Sequence, residues 1–209
     1  MKRMLITILI FGSIWGCIEV FAGGALKDVI PRSSVVPTIL GLALLASARF
    51  LVRTPGSSTA IGAVAMLFRT ANAGQFYCHL LAVLLIGVSF DIVVSLLGSR
   101  FERVRWQGLA GVGSAYLTTS LFSLTMTYIM PYVPPMKDCA HYWATVGLPK
   151  VLDYIAINGS LIAVGALILV PLGYRLGRPL MDLVTARPRP AFMGALLVTL
   201  VLWIVGVAF

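Results

Sequence analysis

Arg69, Asn72, Gln75 and His79 stand close together in RTANAGQFYCHLLAVLLIGVSFD, residues 69–91, and lead into an apolar run that ends on Asp91. They offer a planar cation, two amides and an imidazole. Such a set can hold and orient an anion, because a guanidinium meets a carboxylate or phosphate through parallel hydrogen bonds and amides supply direction. The setting makes them conspicuous. A charge at the centre of a bilayer costs about 2.5–3.5 kcal/mol even on the mildest insertion scales, so polar groups there face a protein interior, a cavity or a partner. Trp143 and Asp153 join the set as a stacking lid and a further polar group, and Glu19 stands alone in the first apolar run.

The elements that must position these groups are membrane helices. With 59% hydrophobic and 11% charged residues and a mean hydropathy of +0.98, the chain reads as an all-α polytopic integral membrane bundle. Apolar segments fall at roughly 4–26, 35–52, 58–73, 75–98, 107–130, 149–174 and 191–209, giving six to seven transmembrane helices. The third is the weakest, since its purely apolar part runs only from Ala60 to Phe68. The N-terminus imitates a signal peptide, but its apolar run continues to Leu26 and carries Glu19, so it is expected to stay as a helix. The expected organisation is a six-helix bundle over 1–174, a basic cytoplasmic linker over 175–190 and an appended membrane helix over 191–209.

A net charge of +9 would suit nucleic acid if the basic residues formed one patch, but they flank apolar runs. They report orientation instead. With the N-terminus in the cytoplasm, eleven lie inside (Lys2, Arg3, Arg49, Arg53, Arg100, Arg103, Arg105, Arg175, Arg178, Arg187, Arg189) and five outside (Lys27, Arg32, Arg69, Lys137, Lys150). This is the positive-inside pattern of a multi-pass protein of the inner, cytoplasmic membrane. Arg69, Asn72, Gln75, His79, Lys150 and Asp153 then collect at the outer leaflet, with Glu19 in the outer half. Asp91 lies near the cytoplasmic end, with Arg49 and the Arg100–Arg105 cluster as candidate partners.

Gly12, Gly16, Glu19 and Gly23 share one helical stripe, a groove that lets another helix approach closely. Either a helix of the same chain fills it, with Glu19 hydrogen-bonded to a neighbour, or it docks a partner subunit. Tyr116, Ser120, Ser123 and Thr127 form a hydroxyl stripe that lines a cavity or bonds to backbone and neighbours. The longest loop, MPYVPPMKDCAHYWATVGLP, is external and reads as a lid or as an interfacial aromatic belt. Three cysteines are too few for a disulfide framework, and the spacing of Cys78, His79, Cys139 and His141 matches no metal signature. No metal, no cofactor and no Cys78–Cys139 bridge is expected.

Enzyme motifs are missing: there is no GxSxG, no HExxH and no phosphate-binding glycine loop. The chain is read as a non-enzyme without a nucleotide site, so any transport it performs draws energy from an ion gradient or a partner. A membrane enzyme would require Glu19, His79 and Asp153 to meet. The expected function is capture of a small polar or anionic solute in an outward-facing pocket. The alternative is a structural or accessory transmembrane subunit of a larger complex, with Glu19 paired to a partner's arginine.

The small-residue stripe GSIWGCIEVFAGG and the run AMLFRTANAGQFYCHLLAVLLIGVSFDIVVSLLG, with the chain's size and inside N-terminus, resemble the S components of energy-coupling factor transporters. The resemblance covers residues 4–174. It implies a substrate pocket under the external loops near Arg69, Asn72, Gln75, His79, Trp143 and Asp153. It also implies a docking face at Gly12, Gly16 and Gly23 for a membrane coupling subunit driven by ATPases. The family's helix-one motif is alanine-based where glycine stands here, and its usual six helices leave 191–209 as a departure.

Overall fold

A computed structural model describes residues 2–26, 29, 31–72, 77–186 and 188–208. The chain is all-helical among them, in the order α1 (Lys2–Leu26), α2 (Val35–Leu51), α3 (Ser57–Asn72), α4 (Tyr77–Leu97), α5 (Val104–Tyr128), α6 (Lys137–Val146), α7 (Leu148–Tyr154), α8 (Ser160–Ala186) and α9 (Pro188–Ala208). Among the described residues three stretches are long and apolar enough to cross a membrane by length and composition: Met4–Phe21, Tyr77–Glu102 and Leu148–Asp182. Val35–Leu51 and Leu196–Val205 are shorter apolar helices. At 16 residues α3 spans about 24 Å, less than a hydrocarbon core of about 30 Å.

Close backbone approach sets the register of the bundle. A Cβ on Gly12 would strike Val64, and one on Gly16 would strike Phe68, so α1 and α3 run parallel. On Gly87 it would meet the Ser58 carbonyl at 2.7 Å and the Gly62 Cα at 3.4 Å, which places α4 antiparallel to α3 at a crossing only glycines allow. Gly173 sits against the Ala43 carbonyl, and the Ser47 hydroxyl donates to the Gly173 carbonyl at 2.6 Å, fastening α2 alongside α8. The core between these helices holds Trp15, Leu42, Leu45, Ile61, Phe90, Ala110 and Val170.

We call the end bearing Arg69 and α6 the upper end and that bearing Arg49 the lower. At the lower end Asp91 is buried and paired with Arg49 at 3.1 Å. Its second oxygen accepts from the Thr59 amide at 2.6 Å and the Thr59 hydroxyl at 2.8 Å. Asp91 therefore caps the start of α3 from another helix, meeting amides that a helix's first turn leaves without partners.

Two stretches differ from expectation. α8 continues through Pro171 and Pro179 to Ala186, so residues 175–186, expected as a linker, are helical. The stretch expected as a loop is built of short helices: two 3-10 turns, Met130–Tyr132 and Pro134–Met136, lead into α6 and α7.

Candidate functional site

Glu19 and Arg69 meet because of the glycines below them. Gly16 lets α3 rest on α1 at Phe68, and one residue further Arg69 comes level with Glu19. Arg69 Nη1 donates to the Glu19 carboxylate at 3.2 Å and to its backbone carbonyl at 3.1 Å. Trp15, one turn earlier on α1 and fully buried, donates its indole N–H to the other Glu19 oxygen at 3.2 Å. Its ring fills the space that the missing side chain of Gly41 on α2 leaves open. The pair is shielded, with Glu19 8% and Arg69 7% exposed.

His79 extends this network to the surface. Its Nδ1 lies 2.8 Å from Arg69 Nη2. Since a guanidinium only donates, Nδ1 is the acceptor and the imidazole carries its proton on Nε2. The ring itself is exposed. Arg69 Nε, by contrast, is buried with no hydrogen-bond partner.

A second cluster closes the upper end. Trp143 of α6 packs edge-on against Phe122 of α5 and Tyr154 of α7, with ring centroids 5.6 and 5.1 Å apart. Lys150 stands 5.2 Å from the Tyr142 ring and 5.8 Å from the Trp143 ring, and approaches Asp153 at 3.9 Å. Below them a π-helical turn, Ile155–Gly159, joins α7 to α8 and presents buried Asn158, whose side-chain oxygen accepts from Arg32 at 2.7 Å. Turns of this type often mark functional sites. An asparagine inside the apolar run YIAING was the available signal for Asn158, whereas Arg32 had none.

Cys78 and Cys139 form a disulfide that ties α6 to the start of α4. This corrects the expectation of no bridge. It also removes both thiols from the metal-ligand set, and among the described residues no cluster suited to a metal ion is found. Cys17 remains a free thiol. In denaturant one thiol per chain is expected to react with a maleimide before reduction and three after it; three before reduction would dissolve the bridge.

No family model, curated protein or solved structure matches this chain. Its chemistry rests on its own geometry.

Of the residues singled out in the sequence, Glu19, Arg69 and His79 come together, and Trp143 and Asp153 belong to the neighbouring cap. Gln75 and the Asn72 side chain lie outside the described residues, as do the surroundings of Gly23. Gly12 and Gly16 are covered by α3 of the same chain. The hydroxyl stripe divides: the Ser123 hydroxyl bonds the Ser120 carbonyl, the Tyr116 hydroxyl meets Ser160 at 3.0 Å, and Thr127 is buried with no partner. A different row of α5, with Ser114, Thr118 and the Gln107 side-chain oxygen, is buried and without partners. Spacing alone did not separate the two.

Proposed function

We propose that this chain is the solute-binding subunit of a multi-subunit membrane uptake transporter, comparable to the S components of energy-coupling factor systems. On this reading six to seven helices cross the inner membrane with the N-terminus in the cytoplasm, and the upper end faces outward. A small polar or anionic solute is captured there, and other membrane subunits with their ATPases supply the energy. The observation that carries the reading is the Arg69 guanidinium, which is anchored by Glu19, in contact with an exposed His79, and holds one buried N–H with no acceptor. A carboxylate or phosphate is a natural acceptor for a guanidinium N–H.

The outward direction draws support from the bridge between Cys78 and Cys139, since disulfides persist in oxidising compartments and the positive-inside rule places both cysteines outside. The accessory-subunit alternative gave Glu19 an arginine from a partner; Arg69 of this chain fills that role. Purification from native membranes, with mass spectrometry of released small molecules, tests the proposal. Wild type is expected to carry a stoichiometric solute. His79→Ala should weaken its binding about tenfold to a hundredfold, the worth of one charge-assisted hydrogen bond, with an unchanged melting temperature. Equal solute occupancy in both proteins would remove the Arg69–His79 pair from recognition.

A further inference from the structure

At the lower end the start of α5 carries a concavity of about 570 Å³ lined by Ser99, Arg100, Arg103, Arg105 and Trp106. Arg100 and Arg105 stand 5.7 and 5.9 Å from the Trp106 ring, which gathers their charge around the indole. Among the described residues none of the three arginines has an acid within ion-pair distance. Glu102 is committed to Arg53 at 2.6 Å.

This arrangement opposes the usual electrostatics of a helix start. The first turn of a helix is its positive end, where acids and side-chain caps are favoured. The first turn of α5 contains no acid, Arg103 gives no side-chain cap, and Arg103 and Arg105 add positive charge. Three like charges and a helix terminus share one hollow. A bound anion relieves the repulsion, whereas a basic flank serving only to orient a helix needs neither a hollow nor convergent side chains.

The neighbourhood says which anion. Leu96, Val104 and Leu109 are 81%, 49% and 52% exposed and flank the arginines, with Trp106 between them as an interfacial anchor. A molecule that meets both surfaces has a phosphate and hydrocarbon chains. We infer that the concavity holds the headgroup phosphate of an anionic phospholipid of the cytoplasmic leaflet, with Arg100, Arg103 and Arg105 as its ligands. The inference rests on the membrane orientation proposed above but not on the outward solute site.

The test uses the full chain in detergent and reads retained phosphatidylglycerol against phosphatidylcholine by native mass spectrometry. Wild type is expected to prefer phosphatidylglycerol. The triple variant Arg100→Gln, Arg103→Gln, Arg105→Gln should bind it at least about tenfold more weakly. Arg175→Gln with Arg178→Gln, which removes positive charge outside the hollow, should bind it as wild type does, and a melting curve for each variant confirms folding. Should the triple variant not fold, Arg103→Gln alone is read in the same way. Equal retention of the two lipids, or equal loss in the Arg175/Arg178 variant, overturns the site. Stabilisation by inorganic phosphate alone, lost with the three arginines, overturns the lipid assignment in favour of a soluble phosphate compound.

Discussion

Asp91→Ala is expected to destabilise the bundle by about 3–5 kcal/mol, the cost of leaving one member of a buried ion pair without its partner. Arg49 would remain shielded, at 7% side-chain exposure, with only the Ser57 hydroxyl and the Thr54 carbonyl as acceptors. The same substitution strips the Thr59 amide and hydroxyl of their acceptor, adding about 1 kcal/mol for the lost cap. Asp91→Asn should fall between, since an amide oxygen still accepts from Thr59 while the charge is gone. Unfolding titrations in mixed detergent measure all three proteins. A loss below about 1 kcal/mol for alanine would mean that the pair behaves like an exposed salt bridge.

Arg69→Ala should cost a similar amount, about 3–5 kcal/mol, because the Glu19 carboxylate stays between α1 and α3 with only the Trp15 N–H as donor. The substitution therefore tests stability as much as recognition, and His79→Ala is the cleaner probe of binding. Replacing both members, Glu19→Leu with Arg69→Met, should recover most of the loss, as apolar side chains of similar volume commonly do in place of buried pairs. A double-mutant cycle read by the same titrations gives the coupling directly. Coupling near zero would show that Glu19 and Arg69 are each held by other groups.

Much of this architecture was legible in the sequence because long apolar runs leave strong marks. Apolar runs bounded by arginines place the helices to within a few residues, and an acid in such a run must find a base, which made Arg49 a candidate for Asp91. What failed was long-range pairing. Cys78 and Cys139 are 61 residues apart, and nothing local to either reveals the other. A glycine stripe says that a helix comes close without saying which helix; here α3 is the occupant at Gly12 and Gly16. The length of α8 was hidden by Arg175 and Arg178, where the apolar run ends, although both lie inside one helix. At the upper site Glu19, Arg69 and His79 were readable as polar intrusions. Their joining into one network depends on the α1–α3 register, which only packing fixes.

If the chain spans a membrane as proposed, the cap that Asp91 places on α3 bears on how it is inserted. α3 is short and carries Arg69 in its last turn, so it is a poor candidate to partition into lipid alone as it leaves the insertion machinery. The Thr59 amide gains its side-chain acceptor, and Arg49 of the preceding helix its acid, only when Asp91 has been synthesised, 32 and 42 residues later. Integration of this region is thus a joint event. On the topology proposed above, the α3–α4 hairpin is expected to enter as a unit, and a nascent chain arrested before Asp91 to leave α3 accessible to water-soluble reagents; equal protection of α3 in chains arrested before and after Asp91 would overturn this.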